Sequence, residues 1–413
     1  MEIALVSLIA LVLAIAMGFW TKMNLGIISI AFAFIVGHFL VGMDSTAIYT
    51  DGWPIKLFFM LLGMTLLFGI AKINGTFTAI AKQIAYFSYG SRKLMCLIIY
   101  IFSAVVSMVG VGTIVTPAIL LPLIIEIARE EDLPETLVIL LCIAGSIAGG
   151  LSALAPTGII GHALTLKIGL LSYTPIFIMS LFTFTLHGLI FFFVFGGLKL
   201  KKSDPKPRQP MNLDRKQLLT LLVIGIVIFA ILGFKFDLGL TAFTGAALLL
   251  IFKAADQDEA VANVAWSTLL LICGVSVLVN VIKVSGGIDL MAAFLTKAMN
   301  PVSASAIMVL LAGVLSSVSS ASGVVMPTLI PTIPGILKEL GISSNILIMS
   351  AAVIIGAHVV PYSPLSTMGA MGMAAASERS NKQRLFTELL LVAAVMLVFT
   401  SLLFFVGVYD IFH

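Results

Sequence analysis

Residues 315–331, LSSVSSASGVVMPTLIP, lie inside a long apolar region and yet carry five serines, a glycine and two prolines. A continuous helix facing lipid gains nothing from such a run, because backbone at membrane depth is irregular only where protein or water satisfies its N–H and C=O groups. The stretch therefore predicts the tip of a re-entrant hairpin that lines a polar cavity. A related stretch, residues 107–122 (SMVGVGTIVTPAILLP), lies about 210 residues earlier, which is the spacing expected of a two-fold internal repeat.

The composition is that of a membrane protein. Of the 413 residues, 60% are hydrophobic and only 10% are charged, and the mean hydropathy is +1.18. A soluble domain has about 45–50% apolar and about 25% charged residues, so we predict an all-α polytopic protein embedded in the lipid bilayer. The longest polar interval, residues 199–216, is short and rich in lysine and proline, and is predicted to be a cytoplasmic basic linker. The net charge of +4 does not indicate a nucleic-acid partner.

Apolar segments of about 20 residues, the length that crosses a bilayer, form two sets of similar order on either side of the linker. Each set contains two arms that would form a hairpin, and a longer segment interrupted by glycine, proline and hydroxyl residues. We expect roughly five full crossings in each half. The predicted units are a first repeat (1–198) with the first hairpin (94–128) and a broken helix (136–171), the linker (199–216), and a second repeat (217–413) with the second hairpin (304–340) and a second broken helix (346–376).

The two halves also match residue by residue. Chance similarity between apolar segments does not produce several such matches in the same order, so an internal duplication is indicated. The matches set Gly63, Lys72 and Gly75 of LGMTLLFGIAKINGT against Gly274, Lys283 and Gly286 of CGVSVLVNVIKVSGG, KMNLG (22–26) against KFDLG (235–239), and Ser107 and Pro117 against Ser317 and Pro327.

Because each half has an odd number of crossings, the second repeat is predicted to be inverted relative to the first. Of the 23 lysines and arginines, 17 fall on one predicted side of the membrane and six on the other. The positive-inside rule assigns the richer side to the cytoplasm. We therefore expect a multi-pass protein of the cell (inner) membrane with both termini outside the cytoplasm. The first hairpin would enter from the cytoplasm and the second from the opposite side.

Two helix interruptions are the places where we expect ligands. The first break, residues 149–161 (GGLSALAPTGIIG), and the second break, residues 358–369 (HVVPYSPLSTMG), combine prolines, glycines and hydroxyl side chains. A discontinuous helix leaves unpaired amides at one broken end and unpaired carbonyls at the other, and these attract anions and cations respectively. Hydroxyl side chains on the tips and beside the breaks are predicted ligands as well.

No Asp, Glu, Lys or Arg falls within either tip or either break. A bound anion would be held by amides, hydroxyls and helix dipoles, and a co-transported cation by neutral oxygens, which favours sodium over a proton carried on a carboxylate. His162 and His358 are the titratable groups near the breaks, and an imidazole can contact a carboxylate or carry a proton near neutral pH. The sequence has no enzyme constellation and no cofactor-binding motif, so we expect neither catalysis nor a bound cofactor.

The residues quoted above resemble a known family. MNLGIISIAFAFIVGHFL (residues 23–40), LGMTLLFGIAKINGT (62–76) and the first break are similar to the MatC-type dicarboxylate (malonate) carriers of the ion transporter superfamily, which includes the divalent anion/sodium symporters. This specific similarity covers roughly residues 1–170, whereas the superfamily pattern of hairpin, broken helix and inverted repeat covers the whole chain. The resemblance implies a transport domain of hairpins and broken helices, a dimerising scaffold domain and elevator-type movement.

Symporters of that superfamily carry a Ser-Asn-Thr signature at each hairpin tip. The matching positions here, counted back from Pro122 and Pro331, are residues 112–113 and 320–323, and neither tip holds the signature intact. Gly112 and Gly323 would offer backbone amides to an anion instead. The substrate candidates are Gly112, Thr113, Thr157, Ser320, Ser322, Gly323, His358, Ser366 and Thr367. The sodium candidates are Ser107, Gly110, Gly150, Ser152, Ser317, Ser319, Pro361 and Ser363.

The sequence thus predicts a secondary active transporter of small organic anions, foremost dicarboxylates of the malonate or C4 type, coupled to sodium or protons and forming a homodimer. The alternative is an ion antiporter or an oxyanion efflux carrier of the same superfamily, although a proton antiporter usually needs a buried titratable carboxylate and none is evident. A membrane scaffold is a third alternative, but it would have no need of two polar hairpins at membrane depth.

Overall fold

The computed structural model describes residues 2–80, 91–201, 213–341, 346–376 and 380–412, and the regular elements in these ranges are all helical. Seven of the described helices are long and apolar enough to cross a membrane, and shorter apolar helices accompany them. The prediction of an all-α polytopic membrane protein is confirmed. Residues 202–212 of the predicted linker lie outside the described residues, as do Lys82 and Arg379. The next long helix begins at Arg215, capped by Asp214, and so starts inside the segment predicted as linker.

The helices follow one another in the same order in the two halves. In the first half they are Glu2–Thr21, Leu25–Phe34 continued by the π-helical turn Ile35–Leu40, Ser45–Gly52, Ile55–Ile73, Arg92–Val106 continued by the π-helical turn Ser107–Val111, Val115–Glu130, Glu135–Gly150, Pro156–Lys167 and Thr174–Val194. In the second half they are Arg215–Phe234, Leu238–Ile251, Gln257–Ala262, Trp266–Val284, Gly287–Thr296, Ala304–Val318, the short pieces Ala321–Val325, Met326–Leu329, Ile330–Thr332 and Ile333–Glu339, then Ile346–Ala357, Thr367–Ala375 and Lys382–Phe405.

Both hairpins are present, and each reverses at its predicted polar stretch. The first turns at Gly110 and Gly112, whose φ angles of 127° and 90° lie in the region that favours glycine. The second turns at Ser319, which is extended, before its second arm resumes as short helical pieces. Pro327 and Pro331 are the second residues of two of these pieces, where the missing amide of a proline is tolerated because it has no intrahelical acceptor.

The broken helices also lie where they were predicted. The first separates into Glu135–Gly150 and Pro156–Lys167, and the second into Ile346–Ala357 and Thr367–Ala375. The leading halves are buried along almost their whole length, from Leu137 in the first. The breaks therefore sit in the interior of the protein, where irregular backbone finds protein or water partners.

Three short helices were not predicted: Ser45–Gly52, Gln257–Ala262 and Gly287–Thr296. They are shorter than the apolar segments of about 20 residues that the sequence analysis looked for. The first two start at aspartate N-caps, from which these helix starts could have been predicted. The amide of Thr46 donates to the carboxylate of Asp44 at 2.8 Å. This hydrogen bond is the main reason that the pKa of Asp44 lies below its ordinary value.

Helices of the two halves pack against each other. Helix Leu25–Phe34 of the first repeat packs against Trp266–Val284 of the second, and Leu238–Ile251 of the second packs against Ile55–Ile73 of the first. Each half of the chain therefore supplies a packing partner to the other, and the two crossings join segments that the sequence comparison had matched.

Matched glycines make these crossings close. A Cβ atom on Gly274 would lie 2.2 Å from the carbonyl oxygen of Gly26, and a Cβ atom on Gly63 would lie 2.5 Å from the carbonyl oxygen of Gly239. Small residues let helix backbones approach within a membrane. These are the glycines that the sequence comparison had paired, Gly26 with Gly239 and Gly63 with Gly274.

Replacing Gly274 by alanine is expected to lower the melting temperature of the purified protein by several degrees, because a methyl group 2.2 Å from a backbone oxygen forces the two helices apart. Thermal unfolding in detergent measures the change. Gly233→Ala is the matched control, since a Cβ atom there meets nothing closer than 3.6 Å. An unaltered melting temperature for Gly274→Ala would contradict the close crossing.

The described helices pack in two groups that meet at the hairpin tips. One group contains the first arms of the hairpins, the leading halves of the broken helices, Thr174–Val194 and Lys382–Phe405; the other contains Glu2–Thr21, Leu25–Phe34, Ile55–Ile73, Arg215–Phe234, Leu238–Ile251 and Trp266–Val284. The turn Ser107–Val111 contacts Ile55–Ile73, and the turn Ala321–Val325 contacts Trp266–Val284. The two tips thus lie at the boundary between the groups.

Candidate functional site

A serine and a glycine shape each break. In the first break a Cβ atom on Gly158 would lie 1.8 Å from the carbonyl oxygen of Ser152, and in the second a Cβ atom on Gly369 would lie 2.0 Å from that of Ser363. Each serine hydroxyl also accepts a hydrogen bond from the leucine amide two residues on. The shared pattern is Ser-x-Leu-x-x-x-Gly. The sequence analysis missed it, although the identical spacing in the two breaks was a signal for it.

Serine hydroxyls fasten each hairpin to its broken helix. Ser107 donates to the carbonyl of Ser146 at 2.6 Å, and Ser316 donates to the carbonyl of Ala357 at 2.7 Å. Ser316 is therefore the structural counterpart of Ser107. The sequence comparison had paired Ser107 with Ser317, which instead donates to a carbonyl of its own helix. That pairing was wrong by one residue, because the first tip turns on two glycines and the second on extended serines.

A polar cavity of about 310 Å³ lies where the two tips meet the second break. A smaller cavity of about 70 Å³ shares Thr113 and Ser322 with it and reaches the first break. Gly323 is the substrate candidate outside both cavities, and its amide donates to the Ser320 hydroxyl at 3.1 Å. The predicted site residues that line the larger cavity are Thr113, Ser317, Ser319, Ser320, Ser322, His358, Pro361, Ser366 and Thr367, and the smaller one adds Gly112 and Thr157.

Several hydroxyl groups in these cavities are available to a ligand. Ser322 and Thr367 have no hydrogen-bond partner among the described residues, and Ser320 only accepts a bond from an amide, so its own proton is unused. The hydroxyls of Thr113 and Thr157 lie 3.1 Å apart, and a pair that shares one hydrogen bond keeps one further proton. The cavities thus present O–H donors, which suit the acceptor oxygens of a carboxylate.

The trailing halves of both broken helices begin at the cavities. Helix Pro156–Lys167 has no side-chain cap, and the first amides of a helix have no intrahelical acceptor. Helix Thr367–Ala375 is capped by Ser366, which accepts from the amide of Gly369 at 3.3 Å. Both N-termini carry the positive end of a helix dipole. Across the described ranges, no Asp, Glu, Lys or Arg lines either cavity, so dipoles and hydroxyls provide the attraction for an anion.

Three sodium candidates of the first half lie together at the first break. A Cβ atom on Gly150 would be 2.6 Å from the hydroxyl oxygen of Ser107, and Ser152 donates to the carbonyl of Met108 at 2.7 Å. Both serine protons are thus directed at backbone carbonyls, and the serine lone pairs are what remains for a cation. Gly110 does not face this group. It packs against helix Ile55–Ile73, because a Cβ atom there would meet a phenylalanine ring of that helix at 2.2 Å.

The sodium candidates of the second half surround the second break. Ser317, Ser319 and Pro361 line the larger cavity, and Ser363 is buried behind it. The hydroxyl oxygen of Ser366 lies 2.7 Å from the carbonyl oxygens of both Pro361 and Ser363, which share its single proton. Ser366 therefore bridges two carbonyls of the break; it also lines the larger cavity, and its role as a substrate ligand stays a prediction.

The histidines differ in their surroundings. His358 lines the larger cavity, whereas His162 is half-buried, stacks on Tyr173 with ring centroids 5.7 Å apart and lines neither cavity. His187 is fully buried and lies 3.2 Å from the hydroxyl of Tyr362, which belongs to the second break. His187 thus supports the break from outside the cavity, a contact that no sequence signal indicated.

Comparison with known proteins identifies the family. A family model described as citrate transporter (CitMHS) matches residues 1–356, from the start of the first repeat to the leading half of the second broken helix. No curated protein matches the chain. The family match agrees with the prediction of a carrier from the ion transporter superfamily. Since it covers most of the chain, this membrane protein belongs to the citrate transporter family.

Proposed function

We propose that the protein is a secondary active transporter of small carboxylates, with citrate as the first candidate cargo and dicarboxylates of the malonate or C4 type as the next. The observation that carries the proposal is the convergence of two hairpin tips and two broken helices on two adjacent cavities that share Thr113 and Ser322. Their free hydroxyls and helix N-termini complement carboxylate oxygens. The larger volume, about 310 Å³, lies at the lower end of the range of about 300–1,000 Å³ for small-molecule sites.

Uptake of such a cargo requires accompanying cations. Each negative charge that enters a cell against an inside-negative potential costs about 2.3 kcal/mol per 100 mV. The described cavity linings hold no fixed positive charge that would offset the charge of the cargo. The neutral oxygens at the breaks, including the carbonyls of Pro361 and Ser363, favour sodium as the coupling ion. A proton is the second candidate, because the titratable side chain of His358 lines the larger cavity.

An elevator movement of a dimer is part of this proposal. The helices pack in two groups that meet at the hairpin tips. If one group slides past the other, it carries the cavity with it and exposes the cavity to each side of the membrane in turn. The group that contains Arg215–Phe234 would then supply the dimer contact. The exposed large apolar side chains along Arg215–Phe234, among them Leu222, Phe229 and Leu232, suit a helix facing lipid or a second copy.

Uptake by the purified protein in proteoliposomes tests the proposal. We expect uptake of labelled citrate, and weaker uptake of malonate or succinate, under an inward sodium gradient. Empty liposomes are the control. An inward proton gradient without sodium is the second arm of the experiment. Uptake that responds only to this arm would show that protons, and not sodium, are the coupling ion.

Failure to take up all three carboxylates would refute the proposal, provided that the reconstituted protein is folded. Thermal unfolding before reconstitution establishes the fold. That result would favour the ion antiporter or oxyanion carrier that the sequence left as the alternative. A sodium-dependent rise in melting temperature gives a separate measure of cation binding, because a ligand that binds only the folded state stabilises it.

A further inference from the structure

The hydrogen bond made by His358 determines its tautomer. Its Nδ1 atom lies 2.7 Å from the carbonyl oxygen of Ile354, one helical turn earlier. A carbonyl oxygen only accepts hydrogen bonds, so Nδ1 carries the hydrogen. Ile354 lies in the last turn of helix Ile346–Ala357, where carbonyls lose their intrahelical partners. The amide of His358 donates to the carbonyl of Ile355, and the ring of His358 serves the carbonyl of Ile354.

The other ring nitrogen, Nε2, is left for a ligand. His358 is only 2% exposed and lines the larger cavity. No side chain or backbone group of the described ranges forms a hydrogen bond with Nε2. In the neutral ring with hydrogen on Nδ1, Nε2 offers a lone pair and therefore accepts hydrogen bonds. Before the cargo binds, an imidazolium at this depth would need a counter-charge, and no described Asp or Glu lines the cavity.

This acceptor differs from the other free groups around it. The hydroxyls of Ser320, Ser322 and Thr367 have protons to donate and suit carboxylate oxygens. A carboxylate oxygen opposite Nε2 would place two lone pairs against each other in a buried site. The complementary cargo atom is instead an O–H donor, and a hydroxyl group is one that a carboxylate cargo retains at neutral pH.

We propose that His358 selects hydroxy acids, with Nε2 accepting a hydrogen bond from the hydroxyl group of the cargo while the serine and threonine hydroxyls hold its carboxylates. This inference rests on the proposed function, since it names a chemical feature of the cargo in the same site. His358 lies beyond residue 356, where the family match ends.

Two pairs of substrates test the inference, each differing by one hydroxyl: citrate against tricarballylate, and malate against succinate. We expect the wild-type protein to take up the hydroxylated member with at least about tenfold higher kcat/KM, the factor given by one unmatched buried hydrogen bond. In His358→Asn the side-chain amide can still donate to Ile354, but the acceptor at Nε2 is lost. Its preference should fall to about onefold, chiefly by a loss for the hydroxylated member.

A second variant keeps the test sound if His358→Asn is poorly folded. His358→Gln reaches the Nε2 position with an amide oxygen and should retain part of the preference. Ser350→Ala is the control, because Ser350 is buried in the helix that precedes His358, its hydroxyl bonds only to the carbonyl of Ile346, and it lies outside the cavity. It should keep the wild-type preference.

The outcomes are distinguishable. Equal uptake of citrate and tricarballylate by the wild type, or an equal loss of both in His358→Asn, would overturn the role of His358 and leave the transporter proposal standing. Absence of uptake for all four substrates by folded protein would instead overturn the proposed function.

Discussion

Replacing Gly158 by alanine is expected to abolish carboxylate uptake and to destabilise the protein. The new Cβ atom would lie 1.8 Å from the carbonyl oxygen of Ser152 and 2.6 Å from that of Leu151, and both are backbone atoms of the first break. Relief of this contact requires the break to open, which moves the N-terminus of helix Pro156–Lys167 away from the cavity. Overpacking usually costs about 1–3 kcal/mol, and we expect at least this loss of unfolding free energy.

Uptake in proteoliposomes and thermal unfolding in detergent measure the two effects. Gly225→Ala is the matched control, because a Cβ atom there meets nothing within 4 Å. It should transport normally and gain slightly in stability, since alanine favours a helix over glycine by up to about 1 kcal/mol. Gly369→Ala, at the equivalent position of the second break, should behave like Gly158→Ala. Normal uptake by Gly158→Ala would show that the tight break is not needed for transport.

Removal of two hydroxyls from the second tip is expected to have the next largest effect. In the double variant Ser320→Ala and Ser322→Ala, the cavity loses two O–H donors that no described residue uses. A hydrogen bond to a charged group contributes about 1.5–3 kcal/mol. Loss of both should therefore raise KM at least about 100-fold. The ligand-free protein loses only the hydrogen bond from the Gly323 amide to Ser320, so its melting temperature should fall by a few degrees at most.

Initial rates of citrate uptake over a range of concentrations measure this KM. Ser276→Ala is the matched control, because that serine donates to the carbonyl of Ile272 within its own helix and lines neither cavity. A wild-type KM in the double variant would remove the second tip from the substrate site. The two single variants then show whether Ser322, which reaches both cavities, contributes more than Ser320.

The irregular elements of this fold were predictable because their causes are local. Prolines and glycines in residues 149–161 and 358–369 interrupt a helix whatever surrounds them. The run of serines in residues 315–331 indicates a segment that faces protein or water rather than lipid. The breaks and tips therefore lie where the sequence placed them. The packing of helices between the two halves was not predictable in the same way, because it depends on contacts between residues more than 200 positions apart, such as Gly26 and Gly274.

The membership of the site was more predictable than the role of each member. Most of the predicted hydroxyl side chains line the cavities, whereas Ser107, Ser152 and Ser363 do not. Their hydrogen bonds depend on which backbone groups the tertiary fold brings near. Ser107 and Ser322 are both serines on hairpin tips, yet the first is bonded to Ser146 and the second has no partner among the described residues. No sequence pattern separates these cases, because the difference lies in the partner and not in the residue.

The packing of helices between the two halves has a consequence for biosynthesis. Helix Leu25–Phe34 enters the bilayer early, but its packing partner Trp266–Val284 is translated about 240 residues later. At about 5–20 residues per second, the nascent chain waits roughly 10–50 s for that partner. The early helices must remain in lipid during this interval with their glycine faces uncovered. Completion of the fold is thus a late event that follows insertion of the second repeat, and a chain released at the linker would have no route to the native packing.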